Sequence, residues 1–178
     1  RNTASDNTAV GSKALALNTG SGGNTAVGFE ALFTNTAADV TAVGHSALKA
    51  NTSGNFNTAL GSSAMLDNTL GDHNVAVGSF SLSNNVIGDG VTAVGADALF
   101  NSTGNDNTAL GRGAGFNITT GTNNTAIGRD AQVANPANSN QIRMGNGSIS
   151  LAQIQVAWSV TSDARYKNNI SSLGNNTL

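Results

Sequence analysis

The feature that most constrains this chain is a short period. "NTAVG" and its variants recur so that Gly11, Gly28, Gly44, Gly61, Gly78, Gly95, Gly111 and Gly128 fall 16 or 17 residues apart. An aliphatic residue precedes each glycine (Val10, Val27, Val43, Leu60, Val77, Val94, Leu110, Ile127), and an alanine precedes that in every copy. Three residues after the glycine stands Ala or Ser; four after it, in the first six copies, stand Leu15, Leu32, Leu48, Met65, Leu82 and Leu99. Such a repeat is one coil of a solenoid, because a unit this small cannot bury a face alone and gains a core only by stacking on its neighbours. Each copy reads as two short strands with a turn between them. The Val and Leu positions are expected to point inward, the alanine to mark close backbone approach, and the glycine to supply a positive φ or a tight corner. Segments such as "NTGSGG" (18–23), "NTSGNF" (51–56), "NSTGND" (101–106) and "NITTGT" (117–122) read as turns whose Asn and Thr side chains bond local backbone or stack in ladders.

The fold class is therefore all-β, a parallel β-roll or β-solenoid of about eight coils, which at about 4.8 Å per strand makes a rod about 38 Å long. Only 10% of residues are charged and 4% aromatic, so the core per coil is thin. Several chains are expected to share one core. A net charge of -2, without a Lys/Arg run, argues against nucleic acid, and no apolar run of membrane-spanning length occurs. There is no cysteine, hence no disulfide framework and no thiolate site. The chain opens at Arg1 and reads as a piece of a longer protein whose export signal, if any, lies elsewhere.

The repeat "NTAVGSKAL…NTGSGG" resembles the left-handed parallel β-roll of YadA-type trimeric adhesin heads, although repeats in that family are usually shorter. The likeness covers residues 1–133, and it implies a homotrimer of two further identical chains around a common axis. After residue 133 the period stops at "ANPANSNQIRMGNG", which holds the only proline, Pro136, and reads as an exit from the roll. "SISLAQIQVAW" (148–158) alternates like a strand, so residues 134–162 are expected to form a β-stem.

The next stretch, "SVTSDARYKNNI", resembles the junction that opens the intramolecular chaperone domain of endosialidase-type phage tail spikes and related trimeric fibres. In that family the C-terminal domain trimerises the chains, helps the stem fold, and cuts itself off. The resemblance implies a Ser-Lys dyad of Ser162 and Lys167, with cleavage at or beside the bond between Ser162 and Asp163, and Asp163 as a helper that orients the lysine. A lysine serves as base only when burial lowers its pKa. An offset of five places the two side chains on opposite faces of a strand, so a bend or a neighbouring chain must bring them together. By spacing alone Ser162 reads as the cap of a turn or helix with Arg165 and Lys167 solvated; the resemblance reverses that reading. Residues 163–178 read as the truncated start of the chaperone domain, too short to act, with the junction present but inert.

Other motifs are weak. His45 and His73 stand alone in their repeats, so no metal site is expected. "GRGAG" (111–115) occupies the repeat's own corner and lacks the lysine and helix of a phosphate loop. The sequons at Asn101 and Asn117 follow from composition, and no carboxylate pair is placed for acid-base catalysis. Phe29, Phe33, Phe80, Phe100 and Phe116 read either as receptor contacts or as buried caps of outer turns.

Two function classes follow. The first is a structural and adhesive trimeric fibre, on a virion as a tail fibre or on a bacterial surface, whose lateral turns meet a host or surface receptor, a glycan among the options; no cofactor is expected, and autocleavage is the one enzyme-like step. The alternative is an ice- or carbohydrate-binding solenoid with a Thr/Asn-rich face, motivated by the file Thr8, Thr25, Thr41, Thr58, Thr92, Thr108 and Thr125, interrupted by Val75.

Overall fold

A computed structural model describes residues 4–150 of the chain. Nine three-residue strands form one parallel sheet in chain order. They are β1 (Thr8–Val10), β2 (Thr25–Val27), β3 (Thr41–Val43), β4 (Thr58–Leu60), β5 (Val75–Val77), β6 (Thr92–Val94), β7 (Thr108–Leu110), β8 (Thr125–Ile127) and β9 (Ile142–Met144). Alanine pairs with alanine at every step from β1 to β8, and glycine follows each strand, so the coils stack without slippage. The molecule is thus a parallel β-solenoid, and residues 4–148 belong to one compact unit. The sheet does not end at residue 133: β9 adds a ninth coil, pairing Ile142 with Thr125 and Met144 with Ile127, and the Pro136 carbonyl accepts the Thr119 N–H.

The expected inward direction of the Val positions is corrected. Successive strand residues point to opposite faces, and in β2–β8 it is the alanine that is fully buried, while the flanking Thr or Val and the aliphatic residue face out. The Leu expectation holds: Leu15, Leu32, Leu48, Met65, Leu82 and Leu99 form the interior file with the alanines.

The leg carrying those leucines is not a strand. Leu15, Leu32, Leu48, Met65, Leu82 and Leu99 all have φ between 47° and 52°, and the residue two positions earlier is left-handed as well. That conformation is costly for a residue with a β-carbon, of order 1–2 kcal/mol. It is held by bonds between coils: the N–H of Leu48 donates to the Ala64 carbonyl at 3.0 Å, and that of Met65 to Ser81 at 3.0 Å.

The corner glycine is needed twice over. Its φ runs from 107° to 142° along the eight copies, and a β-carbon on Gly61 would lie 2.5 Å from the carbonyl oxygen of Gly78 in the next coil. No side chain fits between coils there.

One coil departs from the pattern by a matched exchange. Where the Leu file calls for residue 115 the chain has glycine, and where the first five coils bury an asparagine it has Ile118. A β-carbon on Gly115 would sit 3.1 Å from the Ile118 Cδ1 and 2.8 Å from Leu99 Cδ2, so the isoleucine occupies the space a leucine would fill.

Two outcomes are expected. Gly61→Ala should lower stability by more than about 4 kcal/mol, through clash and strain together, whereas Gly20→Ala, which has open space and no positive φ, should be near neutral; chemical denaturation of both reads this. Gly115→Leu should destabilise by about 1–3 kcal/mol through overpacking, and adding Ile118→Asn should recover part of that loss in a double-mutant cycle.

Candidate interaction surfaces

Three kinds of side chain decorate the solenoid, and the backbone assigns each to its own file. Asparagines come first because they are buried. At the position before the strand, Oδ1 of Asn7, Asn24, Asn57, Asn74, Asn107 and Asn124 accepts the N–H of Asn24, Val40, Asn74, Val91, Asn124 and Gln141 in the next coil, at 2.8–3.0 Å. Their Nδ2 groups bond to carbonyls of the same coil or the next one, as Asn74 does to Gly88 at 2.8 Å. A second file stacks amide on amide: Asn51 donates to Asn35, Asn68 to Asn51 and Asn85 to Asn68, at 2.7–3.2 Å, all fully buried. A buried amide left unpaired is costly, and these ladders pair them. The side chains read as turn formers are structural interior.

The outward face of the sheet is the second surface. It carries two parallel ranks, Thr8 to Thr125 with Val75 in the series, and beside it the aliphatic rank. Val10, Leu60 and Leu110 are 57%, 48% and 52% exposed. Exposed apolar ranks of this kind are where proteins commonly make contacts.

The third surface is the leg after the corner. Glu30 bridges Lys49 at 2.7 Å and Lys13 at 3.0 Å, tying three coils, while Lys13 also lies 5.3 Å from the Phe29 ring centre. The two lysine hydrogen bonds, that from Lys49 first, hold the Glu30 carboxyl below its ordinary value. Beside it Phe33, Thr34, Lys49, Ala50, Leu66 and Asp67 line an open groove of about 550 Å³.

The eight corner glycines sit at the corner. Ser162, Asp163 and Lys167 lie outside the described residues, as do Arg165 and the expected stem strand. His45 stacks on Phe29 (5.3 Å between ring centres) and His73 on Phe56 (4.9 Å). Among the described residues no three His, Asp or Glu side chains converge on a point where a metal would bind. Gly111, Gly113 and Gly115 of "GRGAG" take the three positive-φ places of their leg. The Asn101 and Asn117 amides donate to the carbonyls of Phe116 and Val133. Phe29, Phe80 and Phe116 are exposed and Phe33 and Phe100 half-buried, so none is a buried cap, and exposed Phe56 belongs with them although sequence reasoning passed over it. Its signal was its place in the period, which the other coils fill with Gly, Asp, His or Asn.

No protein-family model matches the chain, and no curated protein is significantly similar to it. Among the described residues no helix is long and apolar enough to cross a membrane.

The Glu30 bridge gives a pH dependence with a definite sign. A carboxyl held low in the folded state stabilises above its unfolded value of 4.5 and loses that contribution as pH falls through the folded one. Thermal melts between neutral and acid pH should therefore fall more steeply for the native chain than for Glu30→Gln.

Proposed function

We propose that this chain is a segment of a homotrimeric fibre, structural and adhesive, displayed outside the cell on a virion or a bacterial surface. The observation that carries the reading is the outward aliphatic rank from Val10 to Ile127, extended by Met144 in β9. A lone solenoid would leave this rank in water; three copies turned about one axis would bury it. Burial of a Val or Leu side chain is worth about 1.5–3 kcal/mol, and the gain repeats with every coil. No side chain is larger than Ala in the sheet's inward rank between β1 and β8, so a single roll is thin and a shared core would supplement it.

The C-terminal part of the proposal rests on the "SDARYKNNI" resemblance. A β-stem would follow the roll, and a downstream chaperone domain would trimerise the chains and then release itself, with Ser162 as nucleophile, Lys167 as base and Asp163 as helper. The lateral turns would meet a receptor on a host or surface, with two identical chains as permanent partners.

A second reading is favoured by one observation: a single Thr rank runs along the outward sheet face at strand spacing, where an ice- or carbohydrate-binding solenoid would carry its contacts, although an ice-binding face usually has two such ranks. The two readings compete for the same face, since a face buried in a trimer cannot meet ice.

The deciding experiment is the mass of the chain extended through its downstream sequence, beside Ser162→Ala, by light scattering and denaturing mass spectrometry. The fibre reading expects trimers of chains ending near residue 162, with the variant left full length and trimeric. A monomer with thermal hysteresis would replace it with the ice-binding reading, and an uncut native chain would remove the dyad.

A further inference from the structure

The outer ridge, made of the turns between the two asparagine files, is mostly Thr, Ser, Gly, Asn and Ala with isolated Asp, His73, Phe56 and Pro136, and its Leu, Val and Ile side chains fall only in the middle of the stack. There Leu70, Val86 and Ile87 are 55%, 41% and 57% exposed, and they are contiguous: the N–H of Leu70 and that of Thr69 both donate to the Val86 carbonyl at 3.1 Å. One coil before Leu70 its place is held by Ser53, and two coils after Ile87 the equivalent place is held by Thr120. Folding does not call for aliphatics at these sites, since the ridge closes with polar residues elsewhere.

The rim of this patch has one sign of charge. Asp72 and Asp89 follow Leu70 and Ile87 by two residues and are locked in place by the stack, Asp72 Oδ1 accepting the Asn55 N–H at 2.6 Å and Asp89 Oδ1 the Asp72 N–H at 2.7 Å. Asp106 joins them, its N–H bonded to the Asp89 carbonyl at 2.9 Å. Residues 51–56, 67–75, 84–92 and 101–108 contain no Lys or Arg, whereas Lys13, Lys49, Arg112 and Arg129 all lie on the leg after the corner glycine. The carboxylates are fixed without cationic partners from their own ridge, beside aliphatic side chains that fill no core.

We infer that Leu70, Val86 and Ile87, rimmed by Asp72, Asp89 and Asp106, form a docking surface for a protein partner that presents an apolar side chain ringed by lysine or arginine. This rests on the adhesive reading above and gives the lateral turns a location and a partner class. An apolar centre supplies affinity, and the charged rim supplies orientation and association rate. The same chemistry disfavours anionic membranes and acidic glycans, which the aspartates would repel.

The test uses the full chain and a synthetic peptide of alternating Lys and Leu, with Glu-Leu and Lys-Ser peptides as controls, by calorimetry. The Lys-Leu peptide should bind, weakening as salt is raised, and binding should fall by about tenfold or more in Leu70→Ser/Ile87→Ser and in Asp72→Asn/Asp89→Asn. The Asn pair keeps an oxygen to accept the capped N–H groups, so it retains the ridge even where the serine pair loosens it. Equal binding to the Asn pair, equal binding of the Lys-Ser peptide, or preference for the Glu-Leu peptide overturns the inference. Light scattering of the same samples separates it from the trimer: a monomer with patch-dependent binding keeps this surface and retires the trimer, whereas a trimer without such binding does the reverse.

Discussion

The close stacking of backbone at the corner glycines governs the rest of the molecule. A coil can follow its predecessor at strand spacing only if nothing projects between them at that point, and a β-carbon on Gly61 would meet the Gly78 carbonyl oxygen at 2.5 Å. Once the corner is closed, the coils are locked in register, and every position of the period becomes a file along the rod. The left-handed leucine leg is a consequence. Its φ values near 50° are unfavourable for leucine alone and persist because the N–H of each leucine-file residue finds a carbonyl in the next coil. Strain within a coil is thus offset by bonding between coils, which makes an isolated coil worthless and a stack cooperative.

Among the described residues the interior buries 15 polar residues beside 24 hydrophobic ones, and this explains how so few aliphatic residues suffice. The two asparagine ladders satisfy backbone groups that the tight turns would otherwise bury unpaired. They also tie neighbouring coils with a geometry that a register slip would break. Where the ladders lapse, other buried residues take over: Val40 and Val91 in the file before the strand, and Ser102 and Ile118 in the amide stack, Ser102 accepting the Asn107 amide at 3.1 Å. The exchange at Gly115 and Ile118 shows the interior conserving volume across two files at once.

Legibility in the sequence followed the chemistry of each position. The glycine corner and the leucine file were readable because positive φ and bulk leave an unmistakable residue type at a fixed offset. The strand face was not, since three residues are too few for alternation to show which of Ala and Val points inward. The leucine leg was mistaken for a strand because a left-handed leucine has no propensity signature. The end of the roll was placed at residue 133 because "QIRMG" no longer spells the motif, yet Gln141 still donates its N–H to Asn124 and Gly145 still follows the strand. Of the candidate sites, the glycines were legible, while the mid-ridge patch was not, because Leu70, Val86 and Ile87 look like core residues until the coil places them outside.

The pattern of replacement on the outer sheet face bears on what that face meets. Its Thr rank accepts Val75 and, in β9, Ile142; its aliphatic rank accepts Val, Leu, Ile and Met144 and never a polar residue. Substitution therefore runs one way, from hydroxyl to methyl. A face selected to order water would guard its hydroxyls and tolerate change beside them. A face selected to pack against protein would guard its apolar area, and could lose a hydroxyl with profit, since each one buried must find a partner or cost stability. Both exceptions, Val75 and Ile142, fall in the Thr rank and none in the aliphatic rank, and that asymmetry favours the proposed shared core over ice.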